Sequence, residues 1–448
     1  DVTENIAIAG RGNSREFGDQ SSILSVARAS GKAGDISLTA ANLVVEDGGV
    51  ISTSSQPSEG VVKPGPGGTV AINVRGNVRI SGVNTEFAEF EHGRVLPSRI
   101  GSGTDSAADA GNISVTANNI IVSDGGTIST DTKSSGMGGN LTVIAEETLT
   151  LSGVNTEISS DTRVSKISSE TTALGKAGNV VVTAKKVDVM AGGLISSSTG
   201  GRGSGDAGNV TITALDGDVM VSGRTGKNIS SITSSAFESI DDEGAPLGNG
   251  LLGSGGTVRI TAQNVTLNEG GNITAQSTGS PSNPAAASLG EEDTLPSSGR
   301  VELTVTDTLI ISDAIINSAD RLIPSQISVG VIGPATVGDI TVKAGTIEIR
   351  KGGEISASSD SKTPTTGRGS LTVEATETLT IDGFQGRVDQ EIFNQSVRRS
   401  GIRAQTRGPQ DAANIVVNAK NLIVSNGAEI VSTPTIDRRN IPLSESRG

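Results

Sequence analysis

Few side chains in this chain could do chemistry. The single histidine, His92, stands among Glu91, Gly93 and Arg94. No serine or cysteine nucleophile is recognisable beside it, so no acyl-transfer triad can be assembled around it. Adjacent acids occur at Asp241-Asp242 and Glu291-Glu292, in Gly-, Ser- and Pro-rich segments that read as loops, and neither pair has an evident general-acid partner for glycoside cleavage. Polysaccharide lyases and hydrolases need several Asp, Lys or Arg side chains converging on one strand face. Here the outward strand positions Ser114, Thr116, Thr211 and Thr213 are hydroxyls. The expectation is therefore that the protein is not an enzyme and holds no cofactor. The residues before the Gly-pair turns are Asp47, Asp124, Ala191, Glu269, Lys351 and Ser425. A calcium ladder would not admit Ala and Lys, which leaves only occasional carboxylate sites for calcium in the loops.

Contact chemistry is the alternative, and it falls on other residues. The chain has six Phe and no Trp, Tyr or Cys. Each ring, at Phe17, Phe87, Phe90, Phe237, Phe384 and Phe393, lies in or beside a long insertion rather than in a core strand. Either the rings pin those loops to the body, or some of them anchor a subunit or partner contact, where Phe is enriched. Arginines gather late, at Arg398, Arg399, Arg403, Arg407, Arg438 and Arg439, whereas acids cluster at Glu238, Asp241, Asp242 and Glu243. Solvated surface is the plain reading of both groups, and contact between copies is the sharper one. The candidate contact residues are thus Phe87, Phe90, Phe237, Phe384, Phe393, Arg398 and Arg399.

The elements that must position these residues announce themselves by repetition. Gly111-Asn112-Ile113-Ser114-Val115-Thr116-Ala117 is followed by Ile120-Ile121-Val122 and by Gly125-Gly126-Thr127-Ile128-Ser129-Thr130. The first segment alternates apolar and small polar residues, the period of a strand with one buried face. Its anchor recurs at Gly34, Gly68, Gly139, Gly178, Gly208, Gly256, Gly299, Gly338 and Gly369, with Ala413-Asn414-Ile415 as the last variant. Several short strands per period and no helical pattern predict coils of a parallel β-helix, an all-β solenoid. Including a partial first coil at Ile6 to Gly10, about 12 coils spaced ~4.8 Å apart make a rod on the order of 55 Å long.

Two kinds of coil alternate. One turns through a Gly pair, at Gly48-Gly49, Gly125-Gly126, Gly192-Gly193, Gly270-Gly271, Gly352-Gly353 and Asn426-Gly427. The other turns sooner, at Ser81-Gly82, Ser152-Gly153, Ser222-Gly223, Ser312-Asp313 and Asp382-Gly383. Where Gly is replaced, Asn or Asp stands in, the residues that best tolerate a left-handed backbone. The structural repeat is therefore a pair of coils. Anchor spacing ranges from 28 residues (Gly111 to Gly139) to 48 (Gly208 to Gly256), and the extra length is placed after the third strand, so that insertions emerge on one flank. Residues 1–433 read as one β-helix domain and 434–448 as a polar tail. The anchor residues Asp35, Asn112, Asn140, Asn179, Asn209, Asp339 and Asn414 would stack as a hydrogen-bonded ladder.

A formal net charge of −14 without a basic stripe argues against nucleic acid as partner. No apolar run approaches the ~20 residues that span a bilayer, so membrane insertion is not expected. With Asp1 falling in mid-coil, the chain reads as part of a longer one.

Segments such as Ala110 to Ala117, Asp124 to Thr130 and Leu149-Thr150-Leu151-Ser152-Gly153 resemble the repeats of filamentous-haemagglutinin-like exoproteins, especially the cyanobacterial kind. The resemblance covers essentially the whole chain. It implies a right-handed parallel β-helix, exported by two-partner secretion through an outer-membrane transporter and located outside the cell or at its surface. The expected function is a structural subunit that self-associates into a fibre, layer or matrix. A monomeric adhesin that binds cell-surface ligands is the alternative, and a β-helical polysaccharide lyase or hydrolase the third reading.

Overall fold

Val, Ile and Leu at every second position of each short strand have one way to leave water together, which is to stack on their counterparts in the coil below. The computed structural model describes residues 2–10, 21–56, 60, 65–84, 96–156, 163–200, 205–237, 253–279, 296–316, 322–333, 335–360, 369–385, 398–407 and 411–435, and these form a parallel β-helix. The first and second strands of the coils join one 16-stranded sheet, and the third strands form a 12-stranded sheet facing it. In several coils the first two strands are a single bent strand, as in Ile113–Ser123 and Ser370–Asp382, with the register slipping at the corner between Ala117 and Asn119 or between Ala375 and Thr378.

Away from these corners, register is kept from coil to coil. Ile113, Leu141, Val180, Val210, Val258, Val301, Ile340, Leu371 and Ile415 pair in one column of the larger sheet. The third-strand sheet has a column made of isoleucine alone: Ile23, Ile51, Ile100, Ile128, Ile167, Ile195, Ile232, Ile273, Ile327, Ile355, Ile402 and Ile430. Each buried aliphatic side chain contributes roughly 1.5–3 kcal/mol, so a coil is held by its two neighbours rather than by itself.

The glycines mark where backbones touch. A Cβ on Gly111 would lie 1.8 Å from the Gly68 carbonyl oxygen, and one on Gly139 2.0 Å from that of Gly111. Between two coils only Gly fits that column, and Ala enters it at Ala413 in the last coil described. At the Gly-pair turns two successive residues are left-handed, Asp47 and Gly48 at φ 50° and 87°, Ala191 and Gly192 at 49° and 89°. In the last such turn these places belong to Asn426 and Gly427, at 52° and 80°. Asn426, rather than Ser425, is therefore the counterpart of Asp47, and Ala428 takes the place of the second Gly.

Hydrogen bonds explain why the repeat is a pair of coils. The Ser165 hydroxyl accepts the N–H of Gly125 in the coil below at 3.0 Å and donates to the Ser152 carbonyl at 2.8 Å. Ser98, Ser230, Ser325 and Ser400 do the same for Gly48, Gly192, Gly270 and Gly352. The left-handed Gly of each of these five turns thus has its N–H satisfied by a serine of the other coil type. The anchor Asn ladder is present in a different form from stacked amides. Asn112 Oδ1 accepts the backbone N–H of Asn140, Asn140 that of Asn179, and Asn179 that of Asn209, at 2.8–2.9 Å.

In the Ser-Gly coils that begin at Gly68, Gly139, Gly299 and Gly369 the extra length lies one corner earlier than expected, whereas in the one that begins at Gly208 it follows the third strand, as expected. Between second and third strand the chain leaves the coil and returns as a hairpin of two-residue strands: Val83–Asn84 with Leu96–Pro97, Val154–Asn155 with Arg163–Val164, Arg224–Thr225 with Asn228–Ile229, Ile315–Ile316 with Leu322–Ile323, and Phe384–Gln385 with Arg398–Arg399. Insertions therefore rise on both flanks of the third-strand sheet. The last strand, Glu429–Thr435, runs two residues beyond the expected domain boundary.

Candidate functional site

Between these flanks lies the outward face of the third-strand sheet. Its inward positions are occupied by isoleucine and then by hydroxyls such as Thr130, Ser169 and Ser197, whose oxygens donate to anchor-glycine carbonyls at 2.7–3.0 Å. The outward positions alternate with them. In successive coils they bring together Ser129, Asp131, Lys166, Ser168, Glu170, Ser196 and Ser198. Outward residues on an open sheet would be well hydrated, yet Ser129, Ser168 and Ser196 are buried.

Charge on this face is concentrated at two places. Lys166 Nζ lies 2.6 Å from Glu170 Oε2 on the same strand, and Ser129 Oγ donates to Asp131 Oδ2 at 2.9 Å on the strand below. Burial pushes the Asp131 carboxyl up, more than nearby Lys166 offsets. Burial also opposes the charge on Glu170, but there Lys166 prevails and holds the carboxyl below its usual range. Desolvation likewise works against the Lys166 ammonium, and the two carboxylates outweigh it and raise it. The Ser168 and Ser196 hydroxyls help keep Glu170 ionised without closing to hydrogen-bond geometry. A carboxyl whose pKa is pushed up beside one whose pKa is pushed down is the asymmetry that acid–base catalysis uses. Here, however, Asp131 Oδ1 is closed to solvent and unpartnered, and Glu170 is tied to Lys166.

The second concentration is farther along the rod. Arg403 is buried, with Nη1 2.6 Å from Glu354 and Nε 3.0 Å from Glu429, while its Nη2 donates to the Arg399 carbonyl at 2.6 Å. Arg399 also reaches Glu429, at 3.4 Å, and Arg407 reaches Asp360 at 3.9 Å. Arg399, Arg403 and Arg407 are thus engaged within the chain.

Two of the clefts on this face adjoin each other. One, of about 600 Å³, is lined by Glu170, Leu194, Ser196, Thr233, Ser235, Phe237, Gln276 and Thr278 among others. The second, of about 350 Å³, shares Gln276 and Thr278 with it and continues past Ser328, Gly330, Ser358 and Gln405 to Arg403 and Arg407.

Of the predicted contact residues, Phe237 is the one whose ring is placed. It ends the strand Ser231–Phe237, so it belongs to a strand after all, on the outward face and 47% exposed. Its Cε2 occupies the space a Cβ on Gly200 would need. Phe384 and Arg398 lie in the last hairpin, where Phe384 pairs with Arg399 and Gln385 with Arg398. Phe17, Phe87, Phe90, Phe393, His92 and the acidic pairs at 241–242 and 291–292 lie outside the described residues. Sequence reasoning missed the cluster of Asp131, Lys166 and Glu170 because both faces of these strands carry Ser and Thr.

Among the described residues no group of three or more His, Cys, Asp or Glu side chains could hold a metal ion. No helix among them is long and apolar enough to cross a membrane. The chain matches no family model, no curated protein and no solved structure.

Proposed function

We propose that the chain is a non-catalytic structural rod of an extracellular, cell-surface protein, which packs with other copies into a fibre, layer or matrix. The observation that carries this reading is the unbroken register of the isoleucine column through the 12-stranded sheet. A sheet that keeps its register stacks equivalent positions in straight rows along the rod, and lateral packing of copies uses such repetition. Cross-coil ion pairs, Arg259 with Glu302 at 2.6 Å and Arg300 with Asp339 at 2.9 Å, add a patterned outer surface, though exposed pairs of this kind contribute at most about 1 kcal/mol each. The absence of cysteine suits a chain that is exported unfolded through an outer-membrane transporter.

Electron microscopy of native material released without denaturant, with mass analysis of the same sample, tests the proposal. Regular filaments or sheets with one rod per repeat are expected. Separate monomeric rods would overturn it.

A further inference from the structure

We propose that the outward face of the third-strand sheet, from the strand Lys166–Thr171 to the strand Gly401–Arg407, binds an uncharged oligosaccharide laid along the rod axis.

The lining of the larger cleft decides the ligand class. Its exposed ring, Phe237, is seated over Gly200 at one edge, and the flat apolar surface of such a ring packs on the C–H face of a sugar. Leu194 and the methyl groups of Thr233 and Thr278 extend the apolar floor, while Ser235 and Gln276 supply donors and acceptors. A partner that offers C–H patches and hydroxyls in alternation fits that mixture, whereas a purely apolar partner would leave the amide and hydroxyls unpaired. Glu170 is the single charged residue of this lining, and Lys166 already neutralises it. In the second cleft Arg403 is paired with Glu354 and Arg407 lies 3.9 Å from Asp360, so each cation along the track already faces a carboxylate of the chain itself.

Dimensions agree with the chemistry. The two clefts meet at Gln276 and Thr278, so the track crosses the strands Lys166–Thr171, Leu194–Thr199, Ser231–Phe237, Asn272–Thr278, Gln326–Ile332, Glu354–Asp360 and Gly401–Arg407. At ~4.8 Å per strand that is on the order of 30 Å, room for about six sugar units with close to one unit per coil. Gly330 keeps the far half open, because a Cβ there would meet nothing closer than Ser358 Oγ at 3.5 Å.

This inference does not rest on self-association, and the test reads binding alone. Calorimetric titration of the full chain with cellohexaose, xylohexaose, mannohexaose and maltohexaose, preceded by an array of neutral glycans, should find at least one ligand. Phe237→Ala should weaken that ligand about tenfold, the loss of one aromatic contact. Gly330→Gln, which fills the far cleft, should weaken the hexasaccharide and leave the trisaccharide of the same series unchanged. Circular dichroism confirms that both variants stay folded, which the exposure of Phe237 and the open space beside Gly330 favour. No binding on the neutral array, binding that both variants leave intact, or preference for oligogalacturonate or for a peptide would each overturn the proposal.

Discussion

A carboxylate replaces the usual Asn at the anchor position of one early coil. The Asp35 carboxyl accepts a hydrogen bond from Lys32 Nζ at 2.8 Å and from the Thr69 N–H at 2.7 Å, and these partners lower its pKa from the usual 3.8 to about 2. A group that gives up its proton more readily when folded adds stability above its unfolded pKa, and that contribution is lost as pH falls from about 4 through about 2. Asp35→Asn keeps the acceptor for Thr69 and removes the titration. Its urea midpoint should therefore fall less than that of the parent chain between pH 5 and pH 2, and parallel pH profiles would rule the effect out. The opposite kind of residue is Ala191, which holds φ at 49° where its counterparts include Asp47 and Asp124. An L side chain there costs about 1–2 kcal/mol, partly offset because Gly loses more freedom on folding. Ala191→Gly should raise stability by up to about 1 kcal/mol in urea unfolding, and a loss would mean that the turn is not strained. Both positions were readable from spacing, since each falls at a fixed place in the repeat, one residue after an anchor Gly or one before a Gly pair. The cluster of Asp131, Lys166 and Glu170 was not, because it needs the third strand's inward and outward positions told apart.

At the scale of the coil, the serine that precedes each Ser-Gly third strand ties two coils together. Ser165→Ala leaves the buried Gly125 N–H and one buried bond to Ser152 unmade, at a cost of about 1–3 kcal/mol. Hydrogen exchange should show the Gly125 amide losing protection well before that of Gly192, whose partner is Ser230. Equal protection at the two would mean that the turn is satisfied by other means. The pairing of coil types was legible because each turn has its own residues. The hairpins were not, since strands of two residues are too short to show a period. Arg224–Thr225 with Asn228–Ile229 was the exception that could have been found: Gly226, at φ 59°, occupies the left-handed place that a two-residue hairpin loop requires. The third strand itself breaks the apolar alternation because its inward Thr130, Ser169 and Ser197 are committed to the anchor glycines. A hydroxyl that satisfies a buried carbonyl looks, in sequence, like a hydroxyl facing water.

For the whole rod, stability is a chain of nearest-neighbour terms rather than one cooperative core. The hydrophobic core is continuous from Ile8 to Ala413, and strands ~4.8 Å apart limit the reach of a core isoleucine to its adjacent coils. A lesion should therefore act locally. Ile232 is fully buried between Ile195 and Ile273, and Ile232→Ala should cost about 2–5 kcal/mol including the cavity. Hydrogen exchange by mass spectrometry should show the strands Leu194–Thr199, Ser231–Phe237 and Asn272–Thr278 losing protection together. The strands Val50–Ser55 and Glu354–Asp360, several coils away on either side, should keep theirs. Uniform loss along the rod would mean that the coils unfold as a single unit, and the long-range order would then have to come from contacts beyond the two sheets. Local loss would instead show that each coil pair is an independent module. Such a chain can accept insertions of differing length at its flanks without disturbing the register of the shared face between them.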